Sequence, residues 1–390
     1  MIVLNGITWD HDRGLLPLLE TTKSFHKLYP EIDIRWKKRT LKEFGDFPVE
    51  ELAKEYDLLL VDHPFSGEAY KHNILIDYNQ YMPKEVLQLR EEQELGETHK
   101  CYNYNGKQLA LSVDISAMVS AYRKDLFEAA GRGLPETLEE VIELARDTGQ
   151  VAAPLGPTDI WCIFLSLGAA RFGSDFVTEQ GLNMENAVWA IDCIYDLYRV
   201  LMPESIDYNP IQIMDRMSRE NSILYAPFCF GYVNYAWKNR DNPLNFTDTP
   251  LWDNAKRACI LGGVGIAVSA SSKNIEAAVR YAEYVTRPHI QEYEYFLSGG
   301  QPGQKDAWMS DHNNELTGNF FLNTLQTIKR AYLRPRFPGW NVFQEKCCII
   351  LNEGVRTGIA AEEIAQTIQE LFNKYIGANP GKEGEQCINI

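Results

Sequence analysis

Two short segments set aspartate beside histidine: Trp9-Asp10-His11-Asp12-Arg13 and Asp62-His63-Pro64. Each follows a β-branched, apolar run, Ile2 to Trp9 and Leu58 to Val61, so each pair falls where a strand ends. Three chemistries suit this doubling. Asp10, His11, Arg13, Asp62 and His63 can form hydrogen-bonding walls around a small polar ligand, with Trp9 as an apolar face, because small-molecule pockets join aromatic lining to a few placed polar groups. Two imidazoles and two carboxylates can instead gather a divalent metal, a nitrogen and oxygen set that suits zinc or nickel. Neither pair has a metal-motif spacing, so no metal and no cofactor is expected. The third reading is local: the aspartates cap the helices that follow and hold the loops.

Other residues extend the first reading. Trp161, Phe228, Phe230, Tyr232, Tyr235 and Trp237 fall in stretches that read as loops. Flat aromatic faces stack on the nonpolar flanks of a sugar, while its hydroxyls need Asp, Asn, Gln or Arg partners. Core packing is the alternative for any one of these rings. Trp161 and Phe228 each follow a proline-containing turn and are the two expected to face a ligand. Arg334-Pro-Arg336-Phe-Pro-Gly-Trp340 supplies a further wall, since the guanidinium fork takes a carboxylate bidentately. If Arg13 and Arg336 both face one cleft, a small organic acid is favoured over a neutral sugar; the alternative is an ion pair between domains.

Catalysis lacks its groups. No G-x-S-x-G, H-E-x-x-H, P-loop or S-x-x-K pattern occurs, and Gly262-Gly263-Val264-Gly265 lacks the dinucleotide-binding spacing. Cys162 with His11 or His63 is the remaining nucleophile arrangement, with nothing to position it. The chain is therefore expected not to be an enzyme; an enzyme using the two Asp-His pairs, with or without a metal, and a cytosolic ligand sensor are the alternatives.

The elements around these residues alternate. Ile2 to Trp9 reads as a strand. Leu15, Leu18, Leu19, Thr22 and Phe25 recur at helical spacing until Pro30, and Ile32, Ile34 and Trp36 alternate with charged residues as a half-buried strand. A helical stretch around Glu50 to Glu55 precedes Leu58 to Val61, a continuous apolar run suited to a strand covered on both faces. This β-α-β-α-β series predicts an α/β fold with an open, doubly wound sheet. In strand order 2-1-3 the crossovers leave strand one in opposite directions and open a crevice at the carboxyl ends of strands one and three. The two Asp-His pairs lie there. Downstream, Gln108 to Asp114 reads as extended, and Thr137 with Glu140 forms a capping box on a helix that Gly149 ends. Helices are predicted from Asn186 to Leu201, Ile275 to Thr286 and Ala361 to Tyr375, with a strand from Ile260 to Ser269 and a turn at Gly299 to Gly303. A Gly- and charge-rich tail from Gly377 is expected to be mobile.

A chain of 390 residues exceeds what one hydrophobic core usually serves, so two domains are expected. Its net charge of -16 repels phosphate backbones and anionic lipid heads, which argues against a nucleic-acid partner and a membrane-surface role. The eight cysteines include no CxxC pair and read as buried, reduced thiols. Met1 leads directly into the first strand with no basic segment, long apolar stretch or cleavage site. Either a chain starting there stays in the cytoplasm, or a leader has been removed from it.

The order of these motifs resembles the family 1 extracellular solute-binding proteins, the receptors of ABC importers. Five stretches carry the resemblance: Asp57-Leu-Leu-Leu-Val-Asp62 with Leu75-Ile-Asp77-Tyr-Asn; Leu109 to Pro135-Glu-Thr137; Tyr225-Ala-Pro-Phe-Cys-Phe-Gly231; Gly262-Gly-Val-Gly-Ile-Ala267 with Ser272-Lys-Asn-Ile-Glu-Ala-Ala278; and Gly299-Gly-Gln-Pro302. Within the second, Ala121-Tyr-Arg-Lys-Asp-Leu-Phe-Glu-Ala-Ala-Gly131 stands at the family's strand-to-helix pattern, and Leu138 replaces the tryptophan usual after the Thr137 motif. The resemblance implies two doubly wound α/β lobes joined by a multi-strand hinge, with crossings near Ser112-Val113, Arg257 to Leu261 and Met309 to His312. Lobe 1 would be residues 1–112 plus 262–308, lobe 2 residues 113–261 plus 309–376, and 377–390 the tail. A small-molecule ligand, carbohydrate or small organic acid, would lie in the cleft and be trapped by hinge closure, and a monomer would deliver it to an ABC transporter permease outside the cytoplasm. Asp114, Gly263 and Gln301, on the matching stretches, and Trp340, at the end of the Arg334 to Trp340 wall, join the expected ligand-binding residues.

Overall fold

The computed structural model describes residues 1–40, 49–250 and 259–377; the tail from residue 378 and the crossing at residues 257 and 258 lie outside the described residues. Among the described residues no helix is long and apolar enough to cross a membrane. In chain order the strands are β1 (Ile2–Trp9), β2 (Ile32–Arg39), β3 (Leu58–Val61), the short hairpin β4 and β5 (Asn103–Tyr104 and Lys107–Gln108), β6 (Leu111–Tyr122), a second hairpin β7 and β8 (Val177–Thr178 and Gly181–Leu182), β9 (Tyr225–Phe230), β10 (Asn245–Thr247) and β11 (Leu261–Val268).

The predicted 2-1-3 arrangement is present. β1 lies parallel to β2 from Ile2 opposite Ile32 to Trp9 opposite Arg39, and parallel to β3 with Gly6 opposite Leu58. β11 then pairs antiparallel with β3, and β6 antiparallel with β11, so the full order is β10-β6-β11-β3-β1-β2, with β9 also on β6. The apolar run of β3 is buried on both faces, as its composition requires. Leu58 and Leu60 pack into a core with Phe25 and Tyr281, while Leu59 and Val61 point to the opposite face, against Ala53 and Tyr102. That alternation is the two-residue period of a strand.

β6 is the element that makes two lobes from one chain. Its first half pairs with β11, and Leu111 and Val113 belong to the core built on β1 to β3. Its second half pairs with β9 and β10, and Ile115 through Ala121 belong to a separate, larger core. β11 crosses beside it with a register shift between Val264 and Gly265. The larger core wraps the helix Pro157–Phe172, whose residues from Asp159 to Ala170 are all buried. A helix apolar on every side must sit inside a layer of others, here Met184–Tyr198, Trp340–Thr357 and Ala361–Tyr375. Phe296 and Trp308 also pack in this core.

Local signals read from sequence hold where they rest on backbone geometry. Thr137 accepts from the Glu140 amide, the Glu140 carboxylate accepts from the Thr137 amide, and Gly149 ends the helix in the left-handed region. Gly263 is more demanding. Its φ is +113°, and a Cβ there would lie 2.4 Å from the carbonyl oxygen of Asp114 on the neighbouring crossing strand. Gly263→Ala should therefore lower stability by about 1–3 kcal/mol through backbone strain and overpacking. Urea unfolding of both proteins tests this; an unchanged midpoint would mean that the two crossing strands separate at little cost.

Candidate functional site

A cavity of about 320 Å³ opens where the crossing strands meet the carboxyl ends of β1 and β3. The smaller lobe contributes Trp9, Arg13 and Asp62, and the crossing strands contribute Ser116 and Gly262 to Val264. From the larger lobe come two helix starts, Gly156-Pro157-Thr158-Asp159 with Cys162, and Asn209-Pro210 with Gln212. Phe230 and Tyr232 form an aromatic side, Asp207 reaches in beside Asn209, and Arg334 comes from the returning chain.

Arg13 and Arg334 hold this region together. Arg13 is 3% exposed and forms a bidentate pair with Asp114, which is 1% exposed; its Nε donates at 2.8 Å and its Nη2 donates to the other oxygen. Nη1 donates at 2.8 Å to the carbonyl of Gly231 in the other lobe, and the guanidinium lies 4.5 Å from the centre of the Tyr232 ring. Burial opposes the Arg13 charge, but Asp114 more than offsets it and holds the group above its ordinary range. Arg334 donates from Nη2 to both oxygens of Asp62 at 2.6 Å. Burial would raise the Asp62 carboxyl, yet Arg334 and then His63 bring it down to about 2.

The sequence-derived residues divide. Trp9, Arg13, Asp62, Tyr232 and Gly263 line the cavity. Asp114 sits behind Arg13 and reaches the site through it. His11 caps the helix Asp12–Leu28, its Nδ1 accepting from the Arg13 amide at 3.0 Å, and packs edge-on against Tyr232 with ring centres 4.9 Å apart. Asp10 faces outward, paired with Lys38 at 2.6 Å. His63 is fully buried, with Nδ1 3.1 Å from Asp62 Oδ1, and stands behind the cavity wall. The local capping role is thus real for His11 and for Asp62, which accepts from the His63 amide.

Five expectations are corrected. Trp161, Phe228 and Trp340 are fully buried in the larger core, where Trp161 stacks on Phe164 with centres 5.1 Å apart. The proline ahead of Trp161 is not part of a loop but the first residue of a helix, where its missing amide costs nothing, and Phe228 lies within β9. Gln301 is a brace: its Oε1 accepts from the Val233 amide and its Nε2 donates to the Ile115 carbonyl. Arg336 is likewise a brace, its Nη1 donating to the carbonyls of Lys100, Cys101 and Asn103 outside the cavity.

Sequence reading missed Asp159, Asp207, Asn209 and Gln212. The available signal was Asn209-Pro210-x-Gln212, a capping box with proline at the first helical position, and the Gly156-Pro157 start of a buried helix. Asp159 is 8% exposed, and burial pushes its carboxyl up to about 8. Burial also raises Tyr232 to about 12, with the Asp114 and Asp159 charges adding to it against Arg13.

The metal and enzyme alternatives find no support. Among the described residues the grouping of three ligand atoms within 4.8 Å is Glu50, Glu68 and His72, none of which lines the cavity. Asp10, His11, Asp62 and His63 form no such group. Cys162 does line the cavity, but burial drives its thiol far above the ordinary range, away from the reactive thiolate.

The family model for bacterial extracellular solute-binding proteins matches residues 22–292, more than half of the chain. The chain belongs to that family. Such proteins bind solutes without transforming them and work with ABC transporter permeases. Among solved structures, this solute-binding protein is similar to maltose-bound MalE3 of T. maritima, with 19% identity, a TM-score of 0.81 and coverage of 95% of this chain and 99% of the other. An ABC transporter solute-binding protein from Thermotoga lettingae bound to α-D-tagatose gives 19% identity and a TM-score of 0.81, covering 97% and 100%. Another from Agrobacterium radiobacter, in complex with ribitol, gives 18% identity and a TM-score of 0.79, covering 96% and 98%. At such identities the likeness is one of fold, and it is the two-lobe fold described above.

Two measurements probe the site's electrostatics. Arg13→Met strands the buried Asp114 charge and should cost about 3–5 kcal/mol in urea unfolding, whereas Arg13→Met with Asp114→Leu should regain most of that loss; equal losses in both proteins would mean the pair acts only through packing. His63 is brought from 6.5 to about 4, first by burial and then by Arg334. The unfolded chain therefore takes up a proton at His63 below about pH 6.5, which the folded chain refuses until about pH 4, so stability falls as pH drops through that window. His63→Phe should flatten the decline by on the order of 3 kcal/mol; a slope identical to the parent's would place the titration elsewhere.

Proposed function

We propose that this solute-binding protein captures a sugar or sugar-derived polyol between its lobes for import by an ABC transporter. The observation that carries this reading is the cavity's composition. Trp9, Phe230 and Tyr232 supply apolar faces, and Asp62, Asp159, Asp207, Asn209, Gln212 and Ser116 supply hydrogen-bonding groups around them. A ring or chain bearing many hydroxyls on a hydrocarbon frame needs both.

The charges argue against the organic-acid alternative. Arg13 is occupied by Asp114 and Gly231, Arg334 by Asp62, and Arg336 stands outside the cavity. A carboxylated ligand would have to displace one of these pairs. The maltose, tagatose and ribitol named for the similar structures agree with the hydroxyl-rich reading.

The proposed ligand-contact set is Trp9, Arg13, Asp62, Asp159, Asn209, Gln212, Phe230, Tyr232 and Gly263, with Asp114 and His11 holding Arg13 and Tyr232 in place. We assign the lobe boundary to the middle of β6 and of the β11 crossing, with the third crossing moved ahead of Phe296. Ligand touching both lobes stabilises the closed arrangement by its greater affinity for it, and a permease would read that arrangement.

Dialysed protein should gain thermal stability with at least one member of a panel of mono- and disaccharides and sugar alcohols, since a ligand bound only by the native state at a hundred times its Kd adds about 2.7 kcal/mol. Trp9→Ala should weaken that ligand by roughly tenfold or more, about 1.4 kcal/mol, through loss of an aromatic wall. A panel of organic acids that shifts melting while every sugar and polyol leaves it unchanged would overturn the reading.

A further inference from the structure

The proposed reading leaves open which hydroxyl-rich solutes the cavity prefers, and its charges narrow the choice. The two cations that line it, Arg13 and Arg334, each have their own carboxylate, Asp114 and Asp62. Asp207 has Arg356. Asp159 remains. It lines the cavity, it is 8% exposed, and among the described residues its carboxylate meets no cation and no side-chain or backbone hydrogen-bond donor. Burial without a partner makes the carboxyl costly to ionise and holds it toward its neutral form, so a cation binding beside it would restore the ionised carboxylate.

Resting on the proposed function, we infer that the bound solute is a sugar or polyol that carries a protonated amine, and that Asp159 is the residue that recognises the amine. Asp159 stands in the first turn of the helix Pro157–Phe172, which has no side-chain cap at Gly156. The partial positive charge of that helix end favours the ionised carboxylate, but it amounts to only about half an elementary charge and is shared with the open amides of the same turn. A ligand hydroxyl would give Asp159 a hydrogen bond; an ammonium gives it both the bond and the missing charge, and charge-assisted bonds of this kind are about twice as strong as neutral ones. Outside the cavity the field acts in the same direction, since a chain of net charge -16 attracts cations and repels anions.

The test uses the full chain and matched probes measured by titration calorimetry near neutral pH and at low salt: D-glucosamine with D-glucose, D-galactosamine with D-galactose, and 1-amino-1-deoxy-D-sorbitol with D-sorbitol. At least one amine should bind roughly tenfold or more tightly than its neutral parent. N-Acetylation of that amine, which keeps the frame and removes the charge, should abolish the advantage; it requires no variant, so the outcome does not depend on how Asp159→Asn folds. In Asp159→Asn the amine's advantage over its neutral parent should be lost, whatever change the parent's own affinity undergoes. Neutral members that bind as tightly as their amines would overturn the inference and leave the sugar-binding function standing. Tighter binding of the N-acetyl compound than of the free amine would overturn it as well. Silence from every pair would overturn this inference, and the hydroxyl-rich reading beneath it falls only when the wider panel of mono- and disaccharides and sugar alcohols is silent too.

Discussion

The buried pair of Arg13 with Asp114 is the interaction on which the rest of the structure depends. Asp114 belongs to β6, the strand that passes from one core into the other, and Arg13 begins the helix that follows β1. The bond therefore ties the first strand-to-helix turn of the smaller lobe to the crossing point. The same guanidinium then spends another donor on the Gly231 carbonyl and a face on Tyr232, both in the larger lobe. One cation thus touches the smaller lobe, the crossing and the larger lobe at once. Taking two charges out of water is unfavourable, and the arrangement is tolerable only because both oxygens and the guanidinium edge are satisfied.

Arg334 and Asp62 repeat the device on the other side of the cavity. The consequence is electrostatic as much as mechanical. Each arginine that a ligand anion might seek is already engaged, so the cavity presents acceptors, aromatic faces and one unmatched carboxylate rather than a cationic anchor. Burial moves the neighbouring groups away from titration near neutrality: His11 and His63 are both driven down to about 4, so the imidazoles are neutral packing and capping elements and not acid-base groups. That outcome agrees with the family's role of holding a solute unchanged.

The aromatic residues show how the same side-chain chemistry serves two ends. Trp161, Phe164, Trp340 and Phe343 interlock in the larger core, whereas Phe230 and Tyr232 from that lobe and Trp9 from the smaller one line the cavity. Nothing in the composition of a tryptophan's neighbours distinguishes these uses. The helix Pro157–Phe172 decides it for Trp161, because an element apolar all round has no face left for a ligand. Its start, at Pro157, Thr158 and Asp159 with Cys162 one turn on, is the part that reaches the cavity.

What the sequence determined by itself was local and periodic. The 2-1-3 strand order followed from β-α-β spacing and the handedness of crossovers, and the crevice position followed from that order, which is where Trp9, Arg13 and Asp62 line the cavity. The Thr137 box and the Gly149 stop were legible because caps act over a few residues. Only the tertiary structure could decide which groups from distant segments meet. That Arg13 spends its charge on Asp114, that Arg336 turns to carbonyls at Lys100 to Asn103, and that Asp159 is left alone in the cavity depend on contacts between residues far apart in the chain. Residue type and local spacing do not encode which partner a charge will find; burial and the crossing of β6 and β11 do.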